Sequence, residues 1–197
     1  MLHEKLKHYE LILASQSPRR QELIKGLGVN FTLSPRYHVD EVYPADMQKN
    51  EVPVYLAKLK SEHYPQQLTD KHILLTADTL VWCKGEFLGK PKDNADACRM
   101  LWLMSGSAHE VLTGVCLRSA SRARTFLAST LVYFRALAQD EICYYIGKYK
   151  PYDKAGAYGI QDWIGYSAIE RIEGSYYNVM GLPMQMLYKE LEAFVSL

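Results

Sequence analysis

The chain has 197 residues, of which 48% are hydrophobic and 23% are charged, a composition typical of a globular domain that buries a core. Lys and Arg number 23 against 22 Asp and Glu, and the formal net charge of +1 argues against non-specific nucleic-acid binding through a broad basic face. No stretch approaches the roughly 20 uncharged apolar residues of a membrane span, and the N-terminal segment does not resemble a secretory signal. The cysteines form no Cys-x-x-Cys pair, so we expect a reduced, cytoplasmic setting in which each thiol acts as a small core hydrophobe: Cys83, Cys98, Cys116 and Cys143.

Strands and helices alternate along the chain, which favours an α/β fold. In chain order we predict a strand at 11–13, a helix at about 18–27, a short strand at 29–34, a polar loop at 35–50, a helix at 52–63 and a strand at 73–83. A helix capped by Asp93 then ends at Ser105 and Gly106. It is followed by paired strands at 110–118 and 125–137 and by helices at 140–148 and 183–194. A lobe formed by about 35–150 could lie against a lobe built from both ends.

The first strand ends in a polar turn that precedes two adjacent arginines. Ser17 is a good N-cap, and Pro18 suits the first helical position. A helix N-terminus attracts anions, and the guanidinium groups of Arg19 and Arg20 match phosphate oxygens. The pattern therefore predicts a phosphate-binding turn, while a capped surface helix with two solvated arginines is an equally open interpretation.

An isolated carboxylate interrupts the third predicted strand. Asp78 lies within an apolar run, where burial is costly unless the carboxylate binds a cation or accepts hydrogen bonds, so it is a candidate metal ligand or general base. The alternative is an aspartate at a strand end that faces water. A hairpin-like return through 84–86 would bring Lys90 back towards Asp78. Considered by itself, Lys90 is typical of a solvated loop lysine.

The segment 154–161 is rich in glycine. Gly156 and Gly159 would let a ligand approach the backbone, Tyr158 could stack on a base, and Gln161 carries a donor and an acceptor that suit a base edge. The alternative is a glycine-rich turn that leads into a strand. Asp40 and Glu41 could share a hydrated Mg²⁺, although most adjacent acids do not.

Other site types are not supported. The histidines lack the spacing of a zinc site, and the chain has neither a P-loop nor a dinucleotide-binding fingerprint. No nucleophile has an evident base beside it, so a covalent hydrolase is not indicated.

Taken in order, ten segments spanning about residues 10–195 resemble the Maf family of nucleoside triphosphate pyrophosphatases. They are Ala14-Ser-Gln-Ser-Pro-Arg-Arg20, Leu56-Ala-Lys-Leu-Lys60, Ala77-Asp-Thr79, Leu88-Gly-Lys-Pro91, Ser105-Gly-Ser-Ala-His109, Leu112-Thr-Gly114, Val132-Tyr-Phe-Arg135, Asp153-Lys-Ala-Gly-Ala-Tyr-Gly-Ile-Gln161, Ile172-Glu-Gly-Ser175 and Val179-Met-Gly-Leu-Pro183.

The resemblance implies one Maf-like domain over 1–197, with a long mixed β-sheet flanked by helices and two lobes around a cleft, similar to the inosine triphosphate pyrophosphatase fold. It also implies hydrolysis of a nucleoside triphosphate to the monophosphate and pyrophosphate by attack of water at the α-phosphorus, with Mg²⁺ or Mn²⁺. Within the family, the segment ending at Gln161 is similar to the dTTP/UTP branch. A homodimer is possible, and neither nucleic acid nor membrane is expected as a partner.

Roles follow residue by residue from the same resemblance. Asp78 is the expected proton acceptor that activates water. Positions that set substrate choice match Arg19, Thr79 and Gln161. Positions that contact phosphate match Ser17, Arg20, Lys60 and Lys90. Acidic positions near the metal match Glu41, Asp40 and Asp78.

Two departures from the family pattern stand out. Ser107 occupies a position where the family usually has Arg or Gln, and Asp162 and Trp163 follow Gln161 where the family tends to have glycine. The second departure could reshape the base pocket. Alternatives to the dTTP/UTP activity are a pyrophosphatase for other or modified nucleotides, such as methylated GTP, a nucleotide-binding regulator of cell division, and a nucleic-acid-binding module.

Overall fold

A computed structural model describes residues 1–196. Within them the strands form one mixed, seven-stranded sheet in the order β2-β1-β3-β5-β6-β7, with β4 paired to β3. The strands are β1 (Glu10–Leu13), β2 (Thr32–Leu33), β3 (His72–Cys83), β4 (Glu86–Leu88), β5 (Ala108–Arg118), β6 (Ala123–Phe134) and β7 (Ile169–Glu173). The expected α/β class with a long mixed sheet is therefore confirmed.

Helices alternate with these strands along the chain. They are α1 (Leu2–Leu6), α2 (Pro18–Gly26), α3 (Val52–Glu62), α4 (Asn94–Met104), α5 (Gln139–Tyr149), α6 (Trp163–Ala168), α7 (Tyr176–Met180) and α8 (Met184–Phe194), with a 3₁₀ turn at Ala155–Ala157. Every predicted helix and strand is present, with ends that shift by up to three residues, and the strand predicted at 29–34 is reduced to Thr32–Leu33. The short elements that the sequence pattern did not predict are α1, β4, the 3₁₀ turn, α6, β7 and α7.

The parallel part of the sheet places the first turn of the site. β1 pairs in parallel with both β2 and β3, in a register that aligns Leu13 with Leu33 and with Leu75. Residues 11–13 are buried, as a short apolar run inside a parallel sheet should be. The turn that follows β1 therefore begins at the carboxyl end of a strand, the end where α/β sheets usually bind ligands.

A tight hairpin joins β3 to β4. The two strands are antiparallel, and Val81 pairs with Leu88. Lys84 and Gly85 form the turn with φ angles of 47° and 93°, which suits a two-residue hairpin whose turn residues need positive φ. The predicted return of the chain through 84–86 is confirmed.

The chain divides into two compact units. The first unit comprises 1–78, 113–128 and the chain from residue 181 onward, and the second comprises 79–112 and 129–180. In the second unit the predicted apolar face of α4 packs into a large core that also contains Tyr145 and Tyr158. In the first unit Ile12 and Leu74 pack with Tyr64 and Leu68. The predicted apolar face of α8 is buried at Met184, Leu187, Leu191 and Phe194.

The cysteines are all free thiols, but they do not share one environment. Cys83 and Cys116 are buried, Cys98 is half-buried and Cys143 is exposed on α5. The prediction that each thiol acts as a core hydrophobe is therefore wrong for Cys143, because that side of α5 faces solvent. Among the residues described, the helices are all too short or too polar to cross a bilayer.

Candidate active site

The turn between β1 and α2 carries the first group of predicted residues. Ser17 occupies the N-cap position of α2 and Pro18 begins the helix, as predicted. The Ser17 side chain, however, makes no capping hydrogen bond within the described part of the chain. Instead, the Ser17 N–H donates to the hydroxyl of Ser15 at 3.3 Å, which closes the turn from its other side.

Arg20 is fixed by backbone carbonyl groups. Its Nε donates to the carbonyl of Gly181 at 2.8 Å, and its Nη1 donates to the carbonyl of Ala77 at 2.9 Å. Burial lowers the pKa of Arg20, and the nearby Asp78 carboxylate partly opposes that shift. An arginine nevertheless stays protonated in proteins, so Arg20 places a positive charge beside the strand that carries Asp78. Arg19, its half-buried neighbour, adds a second positive charge.

A lysine joins two carboxylates in the first unit. The Nζ of Lys60, in the last turn of α3, forms salt bridges with Oδ1 of Asp78 and, at 2.9 Å, with Oε1 of Glu41. Side-chain exposure is 8% for Asp78 and 52% for Glu41. The other oxygen of Asp78, Oδ2, is buried and has no hydrogen-bond partner among the described residues. The structure thus brings together three of the predicted residues and leaves one carboxylate oxygen available as a proton acceptor or ligand.

Asp40 is placed differently from Glu41. Its carboxylate lies 3.0 Å from Nε2 of His38, and both side chains are exposed. Within residues 1–196 no group of three or more His, Cys, Asp or Glu side chains is arranged to hold a metal ion. Glu41 and Asp78 still fit a divalent cation, because Mg²⁺ prefers oxygen ligands and is often held by one or two carboxylates together with substrate phosphates. The unpartnered Oδ2 of Asp78 is such a ligand.

In the second unit, Lys90 follows the β3–β4 hairpin. It is exposed, and the preceding carbonyl, that of Gly89, accepts a 3.0 Å hydrogen bond from the N–H of Gly156. The turn that carries Lys90 is therefore tied to the glycine-rich segment. Thr79 is half-buried and comes directly after Asp78 in β3, so the two side chains point to opposite faces of the strand.

The glycine-rich segment 154–161 is packed by protein rather than left open. A Cβ on Gly156, which has a φ of 69°, would lie 3.0 Å from Cγ2 of Val81. Tyr158 is 5% exposed, its hydroxyl lies 2.7 Å from Nε2 of His109, and its ring packs edge-on against Phe134. The hypothesis that Tyr158 stacks on a base is therefore wrong, because its ring belongs to the core.

Gln161 follows this segment directly. Its side-chain oxygen Oε1 is buried and lacks a hydrogen-bond partner among the described residues. Asp162 begins α6 as its N-cap residue, so Gln161 lies in the turn between the 3₁₀ turn and that helix. The chain does not enter a strand there, as the alternative interpretation supposed, because β7 begins only after α6.

Both departures from the family pattern have structural partners. The hydroxyl of Ser107 donates to the carbonyl of Met104 at 2.9 Å, which helps to close the C-terminal end of α4. The ring of Trp163 packs edge-on against Tyr144 of α5, with centroids 5.1 Å apart. Asp162 accepts a 2.8 Å hydrogen bond from the hydroxyl of Tyr145.

Sequence reasoning missed the groups that hold the predicted residues in place. Ser15, the carbonyl groups of Ala77 and Gly181, and the hydroxyl of Tyr145 were not selected. A carbonyl group belongs to every residue, so no residue type identifies it. Tyr145 sits on the apolar face of a helix, where it is indistinguishable from a core residue.

The family model for Maf-like proteins matches residues 10–194 of this chain. The chain belongs to the Maf-like protein family. The expected resemblance is thereby confirmed. A curated relative from Porphyromonas gingivalis, named dTTP/UTP pyrophosphatase, is 50% identical over 193 residues, which is 97% of each chain. A relative of the same name from Bacteroides fragilis is 48% identical over 95% of this chain and 97% of its own length. Another, from Flavobacterium johnsoniae, is 46% identical over 99% of this chain and 100% of its own length.

Solved structures of low sequence identity share the fold. The Ham1 protein of Staphylococcus aureus aligns with a TM-score of 0.53 at 15% identity, covering 93% of this Maf-like chain and 98% of its own. A HAM1 protein from Coxiella burnetii aligns with a TM-score of 0.50 at 13% identity, covering 94% and 99%. At these identities the likeness supports the fold alone.

Proposed function

We propose that this protein is a pyrophosphatase that hydrolyses dTTP and UTP to the monophosphate and pyrophosphate. Close relatives that align over nearly the whole chain carry that name. The structural observation that carries the proposal is the Asp78 carboxylate, which is 8% exposed, is paired with Lys60 through one oxygen and keeps the other without a partner. A protein that only bound a nucleotide would have no need of a buried proton acceptor.

The two carboxylate oxygens of Asp78 have different roles in the proposed reaction. Oδ2 accepts a proton from the attacking water, and Oδ1 stays paired with the ammonium of Lys60, which keeps the carboxylate in one orientation. Arg20 and Lys60 supply positive charge that stabilises the departing pyrophosphate. Because the backbone carbonyls of Ala77 and Gly181 already fix Arg20, its charge needs no reorganisation when the substrate binds.

Glu41 and Asp78 are the residues that would hold a divalent cation, with Asp40 close by in sequence. A bound Mg²⁺ or Mn²⁺ supplies neutralisation of phosphate charge and polarisation of a phosphoryl oxygen. Lys60 lies against both carboxylates, and its positive charge lowers their mutual repulsion. Ser17 and Lys90 are proposed as further phosphate contacts, and Arg19, Thr79 and Gln161 as the residues that select the base.

The test is pyrophosphate release from dTTP, UTP, CTP, GTP, ATP and N-methylated GTP, each with Mg²⁺ and with Mn²⁺. The Asp78→Asn variant serves as the matched control, since it keeps the size of the side chain and removes the proton acceptor. We expect selective release from dTTP and UTP that the variant loses. Release from a different nucleotide would overturn the specificity and keep the reaction. No release from any nucleotide would overturn the activity and favour a nucleotide-binding regulator.

A further inference from the structure

One tyrosine hydroxyl holds both ends of the turn that carries Gln161. The hydroxyl of Tyr145 accepts a 3.0 Å hydrogen bond from the N–H of Gly159 and donates a 2.8 Å hydrogen bond to Oδ2 of Asp162. The Asp162 N–H in turn donates to the carbonyl of Gly159 at 3.0 Å. Residues 159–162 therefore form a β-turn in which Gln161 is the third residue.

The surroundings of this turn leave it little freedom. Tyr145 is fully buried, and its ring stacks on Tyr149 with centroids 5.1 Å apart. A Cβ added to Gly159 would lie 2.7 Å from Oδ2 of Asp162, so the two ends of the turn are in close contact. The Lys154 ammonium lies 4.0 Å from the same oxygen. Burial and the Asp162 carboxylate raise the pKa of Tyr145, so its hydroxyl remains a donor at any physiological pH.

The rigid turn carries the side chain of Gln161, whose amide oxygen is unpartnered within the described part of the chain. Its buried Oε1 has no hydrogen-bond partner among the described residues, and such an oxygen costs free energy until it meets a donor. A turn held at both ends fixes the backbone position from which the Gln161 side chain extends. Preorganisation of this kind is what a recognition group needs if it is to discriminate between ligands of similar shape.

We infer that Tyr145 and Asp162 are positioning residues that set nucleobase discrimination by fixing the β-turn that carries Gln161. This inference rests on the proposed function. A glycine at position 162 would leave the Tyr145 hydroxyl without this acceptor, so the contact depends on the Asp162 side chain.

The experiment compares dTTP with 5-methyl-dCTP, whose base differs from thymine in carrying an amino group at C4 and no proton on N3. The ratio of the two kcat/KM values measures discrimination. We expect Tyr145→Phe and Asp162→Ala to lower this ratio about five- to tenfold, the factor that corresponds to one lost hydrogen bond, with most of the change in KM for dTTP. Asp162→Asn keeps an oxygen acceptor and should stay within twofold of wild type. The matched control is Tyr149→Phe, which removes the hydroxyl of the neighbouring stacked ring and keeps the hydroxyl of Tyr145.

A merely structural role would lower kcat for both nucleotides alike and leave their ratio unchanged. If the ratio of the two kcat/KM values in Asp162→Ala stays within twofold of wild type, the inference is overturned. Should Tyr145→Phe fail to fold, the comparison of Asp162→Ala with Asp162→Asn still tests the inference.

Amide hydrogen exchange at Gly159 gives a readout that does not depend on activity. We expect exchange at least tenfold faster in Tyr145→Phe than in Tyr149→Phe. Equal exchange would overturn the positioning role even if the wild-type protein released pyrophosphate from no nucleotide, an outcome that would contradict the proposed function separately.

Discussion

The ammonium of Lys60 contacts Oδ1 of Asp78, while Oδ2 of the same carboxylate lies buried without a hydrogen-bond partner among the described residues. Leaving a buried carboxylate oxygen unpaired costs free energy, so a cation or a proton donor that meets Oδ2 would recover that cost. Lys60 also contacts Glu41, and this links the loop 35–50 to the strand that carries Asp78.

Replacing Asp78 by Asn should lower kcat for the preferred nucleotide about 10²–10⁴-fold, the usual contribution of a general base. Asparagine preserves the shape of the side chain and cannot accept the proton. Steady-state pyrophosphate release measures the effect, and a thermal melt checks that the variant is folded. A variant that stays within about threefold of wild type would remove Asp78 from the proton transfer.

Replacing Gln161 by Ala should change the base preference and cost little rate on a poor substrate. The amide is proposed to read the base rather than to act on the phosphates, so its removal weakens binding of the preferred nucleotide selectively. The measurement is kcat/KM across the nucleotide panel. Gln185→Ala, at an exposed position on α8, is the matched control. An unchanged order of preference would contradict the role of Gln161.

His109 should make the protein less stable as the pH falls below 6.5. Burial lowers the pKa of His109 from 6.5 to about 3. The unfolded chain therefore binds a proton below pH 6.5, the folded protein does not until about pH 3, and the stability contribution present above 6.5 is lost progressively between those values.

We expect protonation of His109 in the unfolded chain to lower the free energy of unfolding by roughly 1–2 kcal/mol when the pH falls from 6.5 to 5. His109→Gln keeps a hydrogen-bonding group for the Tyr158 hydroxyl and removes the titration, so denaturant unfolding at the two pH values should show a smaller difference. His8→Gln, at an exposed position, should leave the difference as in wild type. Equal losses in wild type and His109→Gln would refute the assignment.

Gly114→Ala should destabilise the protein severely. A Cβ at Gly114, in β5, would lie 2.1 Å from the carbonyl oxygen of Pro53 in α3, and backbone cannot move aside as a flexible side chain can. We expect a loss of at least about 3 kcal/mol, at the upper end of overpacking costs.

Gly147→Ala is the matched control for this substitution. Gly147 lies in α5, and an added Cβ there would meet no atom within 4 Å. Because alanine favours a helix over glycine, this variant should gain about 0.5–1 kcal/mol. Denaturant midpoints of both variants against wild type measure the two effects, and similar midpoints for the two would contradict the close contact of Gly114 with α3.

Local signals were sufficient for the regular elements that pack against the core. The apolar residues of α4 and α8 recur at helical spacing, and each lies on the buried face that the spacing predicts. Asp93 caps α4 through its Oδ1, 2.8 Å from the Asp96 N–H, as its residue type indicates. The short elements between Gln161 and Met180 were missed, because one turn of helix or a five-residue edge strand contains too few residues for a periodic pattern.

Residue type alone does not predict contacts between residues that are far apart in the sequence. Arg20 resembles a free anion-binding arginine in the sequence, yet its guanidinium donates to carbonyl groups 57 and 161 residues away. Tyr158 resembles a stacking platform, yet His109 and Phe134 enclose its ring. In each case the partner lies on another element, and no local pattern specifies it.

By itself, the sequence determined the alternation of strands and helices, the turn that presents Ser17, the hairpin before Lys90 and the family to which the chain belongs. These depend on hydrophobic periodicity, turn chemistry and motif order, all of which act over neighbouring residues. Only the tertiary structure decided that Asp78 keeps one unpartnered oxygen and that Tyr145 holds the turn of Gln161. Those relationships depend on which atoms the packed sheet and helices bring within hydrogen-bond distance, and that is a property of the folded chain.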